Sequence, residues 1–111
     1  MITGIGTDII KLDRITLDEK FVNRILSKDE LTLYKTLRID KRRVEFLAGR
    51  FAAKEALAKA LGSGIRGFNL NDIAVVWDKF HKPVCEFRGL NIHVSISHSN
   101  EFAVAFVIIE E

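Results

Sequence analysis

This chain has only one cysteine and one proline. Cys85 has no second thiol to pair with, so no intrachain disulfide holds the fold together. Pro83 stands alone and no low-complexity stretch occurs, so no linker is visible and the 111 residues read as one domain, 1–111. Internal repeats are lacking too. No apolar run approaches the roughly 18 residues of a membrane span, so no membrane partner is expected. The apolar start, Met1 to Ile10, is short, contains Asp8, and lacks a basic flank and a small-residue cleavage site. It does not read as a signal peptide, and a cytoplasmic location is expected. An excess of one charge is missing as well: 17 basic against 15 acidic residues leave +2, too little to imply nucleic acid.

What is present is enough for a core. Apolar residues make up 48% of the chain and charged ones 29%, the balance of a globular domain. A domain of this size buries only about two-thirds of its unfolded surface, so oligomerisation would be a natural further source of stability. The basic residues concentrate in the middle: Lys35, Arg38, Lys41, Arg42, Arg43, Arg50, Lys54 and Lys59. That concentration suits an anionic ligand or an acidic partner, although a solvated helix face is the plainer explanation.

Periodicity outlines an α+β fold, an antiparallel sheet packed against a long central helix. Ile2 to Ile10 reads as a strand in which Gly4, Gly6 and Asp8 share one face, and glycines there invite close approach by another backbone or a ligand. From Leu12 to Leu37 the pattern is helical, with a capping signal from Ser27 to Glu30. Asp40 to Leu61 is the strongest helix, stopped by Gly62 and Gly64. Ile73–Trp77 and Val84–Phe87 flank a turn at Lys82-Pro83. Ile92–Ser97 and Phe102–Ile109 flank another at Ser99-Asn100, so two hairpins are expected.

Three polar side chains sit where apolar ones would be cheaper. Glu55 falls within the apolar arc of the long helix, beside Ala48, Ala52 and Ala58, and must be paired or bind a cation. A Glu55–Lys59 pair is the ordinary alternative. His98 ends the row Ile92, Val94, Ile96, as at the rim of a pocket, where a satisfied edge histidine is the alternative. Asp8 could cap the next helical segment, or join Glu55 around a hard cation, since two carboxylates with waters and phosphate oxygens suit Mg²⁺. Spacing alone does not decide whether the two meet. The Gly62-Ser63-Gly64 turn could offer N–H groups to a phosphate.

Three segments together resemble the holo-acyl-carrier-protein synthases, the short type of 4'-phosphopantetheinyl transferase. They are Gly4-Ile5-Gly6-Thr7-Asp8-Ile9, then Phe46 through Ala56 continued by Lys59-Ala60-Leu61-Gly62-Ser63-Gly64, and Val94-Ser95-Ile96-Ser97-His98-Ser99. The resemblance implies transfer of 4'-phosphopantetheine from coenzyme A to a serine of apo acyl carrier protein, giving holo-carrier and 3',5'-ADP, in fatty acid biosynthesis. It implies Mg²⁺ on Asp8 and Glu55, and a phosphate contact for Lys59. Coenzyme A contacts would fall to Arg50, Lys54, Gly62, Gly64, His98 and Ser99. Family members are homotrimers with sites between subunits, and Arg14, Lys20 and Arg24 match the surface that receives the acidic carrier. The general base stays open between Glu55 and a metal-bound water. Two departures stand out: the stretch from Ile15 to Phe21 is short and poor in arginine, and His81 stands where the family usually has Gly.

Three other readings compete. A broader transferase serving polyketide or peptide carriers would be about twice as long, with two pseudo-repeats. A nucleic-acid module would need aromatics set among the basic residues, and Trp77 and Tyr34 are not. An inactive interaction protein would have no reason to carry Asp8, Glu55, Lys59 and His98 together.

Overall fold

The computed structural model describes residues 1–62 and 67–111. Strand β1 is Ile2–Lys11, followed by a 3-10 turn at Leu12–Arg14. Helices α1 (Glu19–Ile25), α2 (Lys28–Tyr34) and α3 (Asp40–Leu61) come next, and a 3-10 turn at Leu70–Asp72 leads to β2 (Ala74–Trp77). Strands β3 (Pro83–Glu86), β4 (Asn91–His98) and β5 (Phe102–Glu110) complete the chain. The expected α+β class holds, and so do the expected bounds of the long helix.

The hairpins form as read: β2 pairs antiparallel with β3, and β4 with β5. Periodicity could not say where β1 goes. It lies antiparallel on the far side of β5, giving the order β1-β5-β4 with Asp8 opposite Ala105. The helical pattern from Leu12 to Leu37 divides into the Leu12–Arg14 turn, α1 and α2, and α2 starts just after Ser27, where the capping signal stands. The break at Ser27 is a full capping box: the Ser27 hydroxyl accepts from the Glu30 N–H at 3.3 Å, and Glu30 Oε1 accepts from the Ser27 N–H at 2.7 Å. Two orphan donors are satisfied at once, and α2 starts there as a separate helix.

α3 lies between two layers. On one side it meets the sheet, through Ala103, Ala105, Val107 and Ile109 of β5. On the other, Leu47 joins a second cluster with Val22, Ile25, Leu26, Tyr34 and Leu70. A helix covered on two sides buries residues that an amphipathic reading assigns to solvent, and Arg50 and Lys54 are both buried. At its end Gly62 takes φ +75°, the left-handed cap that glycine adopts without penalty.

The glycines of β1 fix how close sheet and helix come. A Cβ on Gly6 would stand 1.9 Å from the carbonyl oxygen of Ala56, and one on Gly4 2.2 Å from that of Ala60. Only hydrogen at these positions lets β1 lie directly on the α3 backbone. Asp8, next in the same phase, is thereby carried to the helix face that bears Glu55 and Lys59.

Candidate functional site

Where β1 meets α3, three charged side chains converge. Lys59 Nζ donates to Asp8 Oδ1 at 3.1 Å and to the Thr7 carbonyl at 3.0 Å. Glu55 lies one helical turn before Lys59, and its carboxyl is pushed above the ordinary range, first by burial and then by the Asp8 carboxylate, with Lys59 pulling the other way. The ion pair is thus Lys59 with Asp8, across the strand–helix contact, rather than with Glu55 along the helix. Asp8 belongs to the body of β1 and caps no helix.

Glu55, whose cost of ionisation the Asp8 carboxylate raises, and Asp8 with an exposed lysine against it form a place where a cation relieves repulsion. Among the described residues no three His, Cys, Asp or Glu side chains cluster around one point. Any cation here would need further oxygens from ligand and water, which is how Mg²⁺ is usually held. The donor set fits that ion: hard oxygens and two negative charges.

A second feature occupies the opposite edge of the sheet. A cavity of about 510 Å³ is lined by Arg42, Glu45, Phe46, Arg50, Trp77, His81 and His98, among others. His98 faces Glu45 with Nδ1 3.6 Å from Oε2. The Arg50 guanidinium is stacked between two rings, 4.0 Å from the centroid of Phe46 and 4.6 Å from that of Trp77. Burial pulls its pKa down to about 10, against a partly restoring pull from Glu30. Its Nε donates to the Val75 carbonyl at 3.3 Å, while Nη2 is buried with no partner among the described residues. A buried donor left unpaired is costly, and in a cavity wall it is suited to an anionic ligand. Basic groups, two histidines and flat aromatics in one hollow match the chemistry of a phosphorylated nucleotide.

The sequence-derived site is therefore brought together in two parts. Asp8, Glu55 and Lys59 gather at the β1 side; Arg50 and His98 gather at the β4 side. Gly62 is exposed at the α3 terminus, and Gly64 lies outside the described residues. Ser99 shapes the β4–β5 turn, its hydroxyl accepting from the N–H groups of Glu101 and Phe102 at 3.1 Å each, which leaves only its proton to offer a ligand. Arg14, Lys20 and Arg24 are exposed on the 3-10 turn and α1 that follow β1.

The structure corrects the expectation for Lys54. Its side chain has no exposed surface, and its ammonium donates to Glu30 and to the Ile25 carbonyl, so it contacts no ligand from solvent. The physical reason is the second layer over α3. Arg42, Trp77 and His81 were not foreseen as lining residues. His81 carried the available signal, a histidine where the resembling family keeps a glycine, and it does adopt φ +59°.

A family model described as the 4'-phosphopantetheinyl transferase superfamily matches residues 4–107. The chain is 50% identical over 117 residues to a holo-[acyl-carrier-protein] synthase of Geobacillus sp. (strain WCH70), spanning 99% of this chain and 98% of that protein. It is 47% identical over 116 residues to that of Staphylococcus carnosus (strain TM300), spanning 100% and 99%. Among solved structures it is similar to a holo-(acyl-carrier-protein) synthase from Bacillus anthracis in complex with CoA (3',5'-ADP). That likeness has a TM-score of 0.91 and 48% identity, over 98% of this chain and 96% of the other. A Helicobacter pylori holo-[acyl-carrier-protein] synthase in complex with coenzyme A gives 0.82 and 31%, over 96% and 99%.

Proposed function

The chain belongs to the 4'-phosphopantetheinyl transferase superfamily, and from that premise we propose how its geometry performs the family's reaction. The protein is a holo-acyl-carrier-protein synthase: it transfers 4'-phosphopantetheine from coenzyme A to a serine of apo acyl carrier protein and releases 3',5'-ADP. The serine hydroxyl attacks the β-phosphorus of the coenzyme A pyrophosphate, and the bond to the 3',5'-ADP oxygen breaks. Catalysis of this kind rests on positioning and on offsetting charge.

The convergence of Asp8, Glu55 and Lys59 at the glycine-lined contact of β1 with α3 is the observation that carries the residue assignment. Asp8 and Glu55 would hold Mg²⁺, which when bound neutralises pyrophosphate charge. Lys59, which in its present position pairs with Asp8, would turn to the phosphates. Arg50 and His98 would hold the nucleotide end in the cavity, beside Arg42. Arg14, Lys20 and Arg24, displayed just after β1, would receive the acidic carrier close to Asp8.

The two halves of the site lie at opposite edges of one sheet, which supports a homotrimer in which the Asp8 side of one subunit faces the His98 side of the next. A cyclic head-to-tail interface brings unlike edges together. The outer face of the sheet supports the same assembly, since it exposes Ile5, Ile9, Val104 and Phe106 on neighbouring strands, an apolar patch of the kind that marks interaction surfaces. No described helix is long and apolar enough to cross a membrane, and a cytoplasmic enzyme is part of the reading.

Mass spectrometry of apo carrier protein incubated with the enzyme, coenzyme A and Mg²⁺ tests the activity. The expected result is a carrier heavier by one phosphopantetheine. An unchanged carrier mass at saturating substrate would refute it.

A further inference from the structure

Glu30 and Lys54 form an ion pair with no exposed side-chain surface on either partner. Enclosing two charges costs more than their attraction returns unless other bonds complete their shells, and apolar residues of like volume usually stabilise as well or better. Here the shells are completed. Glu30 Oε1 accepts from the Ser27 N–H, Lys54 Nζ also donates to the Ile25 carbonyl at 2.6 Å, and Glu30 Oε2 accepts from the Val75 N–H at 2.9 Å.

Val75 connects this pair to the cavity. Its N–H goes to Glu30 and its carbonyl accepts from Arg50 Nε, so both bonds leave by the edge of β2 that β3 does not cover. A strand edge would otherwise carry unpaired backbone groups. Two residues further along the same strand, Trp77 covers the Arg50 guanidinium. One carboxylate thus fixes the height of β2 against α2 and α3, and β2 in turn supplies both the acceptor and the ring that orient Arg50.

We propose that Glu30 is a positioning residue for nucleotide binding, holding β2 so that Arg50 Nη2 points at the anionic end of coenzyme A's 3'-phospho-ADP portion. This rests on the assignment of the cavity to coenzyme A made above. Lys54 is the countercharge that lets the carboxylate be buried, and it touches no ligand.

The test compares two volume-conserving pairs, Glu30→Leu/Lys54→Met and Glu30→Gln/Lys54→Met. Neither leaves a buried charge unpaired, so both are built to fold, and a cooperative unfolding transition checks that they do. The Gln pair keeps an amide oxygen for Val75; the Leu pair does not. The affinity for 3',5'-ADP is measured by calorimetry, and KM for coenzyme A and kcat by turnover, each with Arg50 and with Arg50→Ala. The Leu pair should weaken 3',5'-ADP binding and raise KM by about tenfold while kcat stays within about twofold, and the Gln pair should recover most of the loss. With Arg50→Ala, the two pairs should differ by less than about twofold, because the coupling partner is gone. Wild-type affinity in the Leu pair, or an equal loss with and without Arg50, overturns the positioning role. Arg50→Ala alone binding 3',5'-ADP as the wild type does would overturn the cavity assignment itself, a different result from either.

Discussion

Glu55 is held in a conflict that its function would resolve. Burial and the Asp8 carboxylate raise its pKa from the ordinary 4.5. A carboxyl whose folded pKa is raised binds its proton more tightly in the native state, so the contribution of Glu55 to stability is fully present below about 4.5 and is lost as pH rises through the raised value. Glu55→Gln should remove that slope. Mg²⁺ should raise the melting temperature of the wild-type protein at neutral pH but not that of Glu55→Gln, and the substitution should lower transfer by at least about a hundredfold. Melting curves across pH, with and without Mg²⁺, read the first two effects independently of turnover. Asp8→Asn should lose transfer to a similar degree at little cost to the fold, since a partly exposed pair such as Asp8–Lys59 contributes about 0–1 kcal/mol; a wild-type rate would remove Asp8 from the site. Cys85 behaves in the opposite sense to a reactive thiol. Burial pushes its pKa up to about 12, so its thiolate is scarce at pH 8. A disulfide reagent should label it only after denaturant is added, and prompt labelling of the native protein would contradict the burial.

At the scale of elements, the contact of β1 with α3 is decided by the two glycines. Gly6→Ala places a methyl 1.9 Å from the Ala56 carbonyl oxygen, a clash with backbone that no side-chain rotation relieves. The expected loss is about 3 kcal/mol, the upper range for overpacking, seen as a lower urea midpoint. Because the strand must lift from the helix, Asp8 moves from Glu55, and activity should fall further than stability accounts for. The strand and the helix were legible from alternation and from the long run of good helix formers. The burial of Arg50 and Lys54 was not, because helical periodicity reports one covered face and α3 has two. Glu30 shows the same limit: its capping role follows from the Ser27 spacing, whereas its second carboxylate oxygen bonds Val75, 45 residues away.

For the whole molecule, the decisive prediction concerns shared sites. On the proposed assignment, Glu55→Gln should damage the β1 half of the site and His98→Ala the β4 half. Subunits of the two variants, mixed and reassembled at equal amounts, should regain about a quarter of wild-type activity, since one interface in four pairs two intact halves. Activity no higher than that of the two variants assayed apart would place the complete site within one chain. Phe106→Glu, in the exposed apolar face of the sheet, should shift the protein toward monomers in sedimentation and abolish activity with them.

The sequence by itself determined the local elements: the span of α3, the capping box at Ser27 and the two hairpins. These follow from periods of two and 3.6 and from turn chemistry, which act over a few positions. Only the tertiary structure decided that β1 closes on β5 and so brings Asp8 to Lys59 and Glu55, that Lys54 faces inward, and that His98 and Arg50 lie across the sheet from the acidic pair. Such placements depend on which surfaces of distant segments fit together, and no short-range pattern in the chain records that fit.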